Sequence, residues 1–281
     1  MDFDWNDAMQ ATIGLGVAGN FAGHLEQAGE ASDFKSLEIA DASAPKGIFP
    51  FYVPGVREHF LGRMPVSSTT MTLGSADEKH QPEPEVALLC DLEYASGRVA
   101  AVHPRYAMAH NDCSIRRPGA RKISEKKNWG ACTKGTARLG IEIDHFASGG
   151  VLDRYRLASF LVRDNTAHDY GVDSPVTGYS YYGERLLAWV VDKLATQRDE
   201  GPLEDLPQWI ERAGHPTRAL ISIGATRYTE YGETTFLEPG DTAVVALYDS
   251  EQYDADAIRR IASGKDLGDG PGLSLLRQTA A

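Results

Sequence analysis

The sequence predicts a predominantly β protein of the α+β class, and three observations carry that prediction. Short apolar runs recur between turn signals, only two stretches show helical spacing, and no repeat or heptad is present. Taken in order, residues 1–73 form an N-terminal segment rich in turns. Its aromatic stretch Phe49-Pro50-Phe51-Tyr52-Val53-Pro54 cannot be a central strand, because proline brings no N–H to the ladder. A polar linker over residues 74–84 leads into expected strands at 86–91, 98–103, 138–144, 219–223 and 242–248. The two expected helices are 184–196, with Leu187, Val190, Val191 and Leu194 at helical spacing, and 205–213, with Asp205 as cap, Pro207 in the first turn and Gly214 as terminator. Between them, residues 197–202 are charged and breaker-rich and read as a solvated loop. The tail from residue 251 is glycine-rich over 264–272 and is expected to be loosely ordered.

Composition narrows the function. With 281 residues and 42% apolar side chains the chain can bury a sizeable core. A formal charge of -12 argues against nucleic acid or an anionic membrane as partner, since phosphates are held by clustered Lys and Arg. The acidic N-terminus lacks the basic and apolar regions of a signal peptide, and the longest apolar run, residues 186–191, is too short to span a bilayer. A cytoplasmic location is the expectation. Cys90, Cys113 and Cys132 are an odd number without C-x-x-C spacing, so free thiols are expected.

The chemistry concentrates in three carboxylates and a lysine: Glu83, Glu85, Asp112 and Lys134. Two residues apart at the start of an apolar run, Glu83 and Glu85 would share one face of a strand. Asp112 could close a triad of oxygens. Oxygen-only ligation suits a hard divalent cation and leaves coordination positions open for water or a chelating substrate. Lys134 beside it would stabilise developing negative charge, the alternative being an ordinary surface lysine, since Lys122, Lys126 and Lys127 show that lysines are common in this stretch. The glycine run 14–19 satisfies G-x-G-x-x-G, but too few residues precede it for a strand, and Pro45, Pro50 and Pro54 fall where a βαβ unit needs its second strand. A dinucleotide site is not expected there.

The order of these pieces resembles the fumarylacetoacetate hydrolase superfamily. Glu83-Pro84-Glu85-Val86 looks like its E-x-E motif, Asn111-Asp112-Cys113-Ser114-Ile115-Arg116 like its N-D-x-S-x-R motif, and Trp129 with Lys134 like its tryptophan–lysine pair. Asn20-Phe21-Ala22-Gly23-His24 is similar to the early N-Y-x-x-H segment, and residues 236–241 to the late F-L-x-P-G-D strand start. The resemblance implies a mixed β-sandwich roll over residues 74–250, with the N-terminal segment packed on it and the chain assembled as a homodimer. It implies Mg2+, or Mn2+ or Ca2+, held by Glu83, Glu85 and Asp112. Asn20 and Arg116 would contact a small acidic substrate, Arg227 or Tyr228 could point inward at it from a turn that departs from the family, and Lys134, His24 and Gln27 would be the catalytic groups. Departures are plain. Gln27 stands where hydrolytic members place the glutamate that supports the histidine, and it cannot carry the charge that stabilises an imidazolium. Glu26 and Glu30 do not share a helical face with His24. Val53 replaces a lysine, Arg117 replaces an aspartate, and residues 223–228 lack the family's proline turn.

The expected activity is a divalent-metal-dependent hydrolase or lyase that breaks a carbon–carbon bond, or tautomerises, in a small 2-oxo or 1,3-diketo acid. With Gln27 present, decarboxylation or tautomerisation is as plausible as hydrolysis. The alternative is a non-catalytic relative that binds a small acidic ligand or a partner.

Overall fold

A computed structural model describes residues 1–34, 41–117 and 119–281. Strands in the first half are β1 (Thr12–Ala18), β2 (Gly47–Tyr52), β3 (Val66–Ser67), β4 (Thr70–Met71), β5 (His80–Gln81), β6 (Pro84–Ala95) and β7 (Arg98–Asn111). They are followed by β8 (Ser114–Ile115), β9 (Lys134–Thr136), β10 (Ile141–Glu142), β11 (Tyr155–Arg163), β12 (Thr166–Pro175), β13 (Arg218–Ser222), β14 (Thr242–Asp249) and β15 (Leu273–Ala280). The α-helices are α1 (Trp5–Ala8), α2 (His24–Gln27), α3 (Gly183–Thr196), α4 (Leu206–Arg212), α5 (Glu230–Thr234) and α6 (Ala255–Ala262). The mainly β character expected from the sequence is observed.

One sheet runs in the order β2-β1-β13-β6-β7-β9-β3, with β10 added on β7, and a second runs β12-β11-β14-β15-β4. The edge position of β2 accommodates Pro50, and its Phe51 and Phe49 rings cover Gly14 and Gly16 of β1 so closely that a Cβ at either glycine would lie 2.2 Å from a ring carbon. The glycine run therefore forms a strand under aromatic rings and leaves no phosphate-binding turn. Val86, Leu88, Ala107 and Ala109 on one face of the first sheet pack with Leu157, Val245 and Leu247 of the second and with Leu186, Val190 and Leu194 of α3. The opposite face carries Ala87, Leu89, Met108 and Leu220 beneath Trp5, Met9, Phe49 and Phe51.

The hairpin β6–β7 matters most for the site. Ser96 and Gly97 both adopt positive φ (51° and 75°), the two-residue turn whose twist matches a hairpin. Ala95 pairs with Arg98 at that end, but the register shifts between Glu93 and Tyr94 and again between Leu89 and Cys90. Pro104, opposite Cys90, has no N–H to donate, which fits a bulge there. Together the two shifts slide β7 so that Pro84 pairs with Asn111 and the next rung sets Glu83 opposite Asp112. An unbroken register from the turn would have put His110 opposite Glu83.

Three expectations are corrected. The strand expected over 138–144 is only the two-residue β10, with β9 lying before it. The hairpin β11–β12, turning on Asp164 and Asn165 with φ of 51° and 62°, was not anticipated, because its strands mix polar and apolar residues. The tail is well built: β15 lies between β14 and β4, while α6, capped by Asp254, buries Ile258 and Ile261 against Ala158, Phe160 and Val244 of the second sheet.

Candidate metal and acid–base site

At the open end of the β6–β7 hairpin the ladder itself assembles the acids. Asp112 donates its N–H to the Glu83 carbonyl at 2.9 Å, and Glu85, two residues along, shares the face of Glu83. One oxygen from each of Glu83, Glu85 and Asp112 lies within 4.8 Å of the others, and all three side chains are buried. Asn111 locks the corner: its carbonyl oxygen accepts from the Glu83 N–H at 3.0 Å, and its amide donates to Gln278 of β15 at 3.0 Å.

The cations around this triad differ from the expectation. Lys127 reaches directly between the acids, with Nζ 2.6 Å from Glu83 and 2.5 Å from Asp112. Lys134 lies behind Asp112, fully buried, paired by charge with Asp112 at 2.9 Å and donating to the Cys113 carbonyl at 2.5 Å. It holds the aspartate in place and does not line the cavity, whereas Lys127 does. A run of four lysines between residues 122 and 134 gave no sequence signal for this choice; only the turn over Ile123–Lys126 swings Lys127 inward.

Arg116 spends every guanidinium nitrogen. It donates to Gln81 at 2.6 Å, to Glu30 at 2.8 Å and to the Tyr228 hydroxyl at 3.0 Å, and it pairs with Glu83 at 2.8 Å. Glu30, also 2.8 Å from Lys126, was missed for a definite reason. Helix α2 ends at Gln27 and the chain turns at Gly29 with φ 71°, so helical-face arithmetic does not extend to residue 30. Arg117 pairs instead with Glu78 outside the cluster.

These contacts set the charges. Burial opposes ionisation of Glu83, but Lys127, Arg116 and His24 outweigh it, and its pKa falls below the ordinary carboxylate value. Burial likewise opposes charge on Lys127, yet Asp112, Glu83, Glu30 and Glu85 overcome it and raise its pKa. Glu85 is the exception: burial and then the Asp112 charge push its carboxyl well above 4.5, with the Lys127 charge and one backbone donor, Gly224 N–H at 2.8 Å, pulling the other way. Gly224 can serve because its φ of 113° and its contact with Asn20, 2.9 Å from a would-be Cβ, both demand glycine.

His24 opens the short helix α2 and is buried. Its Nδ1 lies 2.9 Å from the Thr226 carbonyl, which can only accept, so Nδ1 carries the proton and Nε2 keeps its lone pair in the neutral ring. Burial lowers its pKa, so the neutral form prevails. The ring lines a cavity of about 20 Å3 together with Glu30, Glu83, Glu85, Asp112 and Lys127, room for about one water or one ion. A wider hollow of about 380 Å3, bordered by Glu30, Arg116 and Lys126, adjoins it.

The other expected site residues lie elsewhere. Gln27 clamps the backbone of Tyr228, accepting from its N–H at 2.9 Å and donating to its carbonyl at 3.2 Å, so the Thr226 carbonyl orients His24 and Gln27 does not. Asn20 is fully buried and its amide is used on the Tyr181 and Ile223 carbonyls and the Tyr181 N–H. Arg227 is exposed, while its neighbour Tyr228 points inward. Cys90 and Cys113 are buried free thiols, as expected, and Cys132 is free and partly exposed.

The residues present suit a divalent ion. Three buried carboxylates converge and Glu85 lacks a cation of its own, while Glu83 Oε1 and Asp112 Oδ1 are paired with Arg116 and Lys134 by charge at 2.8 and 2.9 Å without good hydrogen-bond geometry.

Comparison with solved structures places the fold. A 2-keto-3-deoxy-D-arabinonate dehydratase complexed with magnesium and 2,5-dioxopentanoate is similar over 96% of this chain and 73% of its own, with a TM-score of 0.54 at 13% identity. The 5-carboxymethyl-2-hydroxymuconate delta-isomerase from Mycobacterium smegmatis is similar over 97% and 79%, with a TM-score of 0.51 at 14% identity. A protein from Yersinia pestis CO92 assigned to the fumarylacetoacetate hydrolase family is similar over 84% and 89%, with a TM-score of 0.52 at 13% identity. No curated protein matches by sequence. Fold and corner geometry thus define a divergent example of the fumarylacetoacetate hydrolase fold with a buried acidic triad. Within that class the chain belongs to the family of unknown function DUF5718, whose model matches residues 30–280. Among the described residues no helix is long and apolar enough to cross a membrane.

Proposed function

We propose that the protein is a divalent-metal-dependent enzyme that moves a proton next to the ketone of a small 2-oxo or 1,3-diketo acid, as a lyase or tautomerase. The observation that carries this reading is the triad Glu83, Glu85 and Asp112 sharing one small cavity with His24, whose Nδ1 is bound to a backbone carbonyl and whose Nε2 is left as the basic nitrogen. Mg2+ or a similar ion, held by the three carboxylates, would supply Lewis-acid polarisation of the substrate's adjacent oxygens. His24 Nε2 takes the proton from the carbon beside the ketone. Lys127 is the ammonium placed to meet the oxyanion that this leaves, and the wider hollow behind Glu30 and Arg116 has the size for the rest of the substrate. Hydrolysis fits less well. The partner that orients His24 is a neutral carbonyl, which does not stabilise an imidazolium as a carboxylate would.

The magnesium and dioxo acid held by the dehydratase are properties of that protein and support this reading as analogy of fold. The test is turnover, or deuterium exchange at the carbon beside the ketone, with oxaloacetate, acylpyruvates and 2-keto-3-deoxy acids in the presence of Mg2+ or Mn2+. Absence of both with every ion would defeat the proposal. One observation favours a second reading, a non-catalytic relative: the Lys127 ammonium already bridges Glu83 and Asp112, the carboxylates an ion would draw on. Calorimetry separates the two, since a protein that takes up no divalent ion and turns over no substrate is the binder. A homodimer belongs to the proposal too, and sedimentation at a single monomer mass would remove it.

A further inference from the structure

The segment that delivers Lys127 to the triad has a second face. Lys122, Ser124 and Glu125 border a separate cavity of about 390 Å3, closed by His59, Phe60 and Trp209 and by the loop leading into α4. The rings of the aromatic wall are tilted against one another, with the His59 ring centroid 4.5 Å from Phe60 and 4.9 Å from Trp209. Set into this cavity is Glu204, only 5% exposed, and neither of its carboxylate oxygens has a hydrogen-bond partner of good geometry among the described residues, Ser124 being the nearby donor that only partly offsets its burial. Leaving a buried carboxylate unpaired is costly, so such a group is expected to meet a ligand.

The chemistry of the lining selects the ligand. Lys122 is the cation among the described lining residues, and its ammonium is committed to Asp199 at 2.8 Å and to the carbonyls of Gly201 and Leu203 at 2.9 and 2.7 Å. Glu125, Asp199 and Asp205 add further negative charge, and Asp205 is occupied as the cap of α4, accepting from Gln208 N–H at 2.9 Å. Glu204 belongs to no cluster of three metal-ligating groups among the described residues, which argues against a metal ion. We infer that this cavity binds a small organic cation, a primary ammonium or guanidinium on a short apolar stem, with its N–H groups donating to Glu204 and its stem packed on Phe60 and Trp209.

The full chain is titrated with n-butylammonium, putrescine and methylguanidinium at mildly alkaline pH, while the Trp209 indole N–H is followed by NMR. At least one of these cations produces a saturable shift of Trp209, and n-butanol, which keeps a stem and loses the charge, produces none. Glu204→Gln weakens the cation at least about tenfold, while its thermal melt, run in parallel, shows a folded protein. Glu204→Asp, which keeps the charge on a shorter stem, binds with intermediate affinity. The inference is overturned if none of the three cations shifts Trp209, or if Glu204→Gln binds as wild type does.

Discussion

Replacing Lys127 by methionine tests the electrostatic reading of the triad most directly. The ammonium, 2.6 Å from Glu83 and 2.5 Å from Asp112, is removed while most of the side-chain volume stays. Breaking a buried ion pair from one side costs about 3–5 kcal/mol, because the partner charge is left behind. Here the lower end is expected, since Arg116 still pairs with Glu83 and Lys134 with Asp112. For a chain of this size that corresponds to a fall in melting temperature of roughly 6 °C or more in the absence of metal. A divalent ion should then recover the loss, because it supplies the missing charge and no longer competes with an ammonium for the same carboxylates. Ion at a hundredfold excess over Kd stabilises by about 2.7 kcal/mol. Scanning calorimetry of wild type and Lys127→Met, each with EDTA and with saturating MgCl2, decides the matter. An apo variant as stable as wild type, or an Mg2+-induced shift of the same size in both proteins, would refute the reasoning.

Further outcomes follow from other parts of the site. Asp112→Asn should abolish divalent-ion binding measured by calorimetry, and retention of wild-type affinity would remove Asp112 from the ligand set. His24→Gln should lower turnover by about 10^2–10^4-fold while leaving Mg2+ affinity unchanged; loss of the metal instead would make His24 a ligand. Glu204 gives a pH dependence: burial raises its carboxyl from 4.5 to about 7, with Ser124 and Lys122 only partly opposing it. Across that window the folded chain holds a proton the unfolded chain has lost, so this group's effect is to lower stability as pH rises through it and to keep it low above. Glu204→Gln should therefore gain up to roughly 3 kcal/mol over wild type above the window and little below it, read by urea unfolding. Equal differences at both ends would contradict the sign.

Much of the candidate site is legible because its parts are local. Glu83 and Glu85 share a face by the period of a strand, and Asp112 with Arg116 sits in a short run whose pattern is readable without a fold. What escaped is set by distant packing. Lys127 is one of several lysines in a row, and only the Ile123–Lys126 turn points it at the acids. Glu30 reaches the same cavity because α2 stops after one turn. Gln27 and Asn20, adjacent to His24 in sequence, are drawn onto backbone groups some two hundred and one hundred and sixty residues away. The tail strand β15 is partly polar, and its pairing with β14 and β4 is what orders it.

The amino-acid order alone determines the mainly β class and the placing of Glu83 and Glu85 on one strand face, because both depend on period-two alternation. The tertiary structure decides which groups meet. Two bulges in the β6–β7 ladder bring Asp112 instead of His110 opposite Glu83. Burial then turns three nearby carboxylates into one electrostatic unit, whose charge is balanced by lysines and an arginine that no local pattern distinguishes from surface residues.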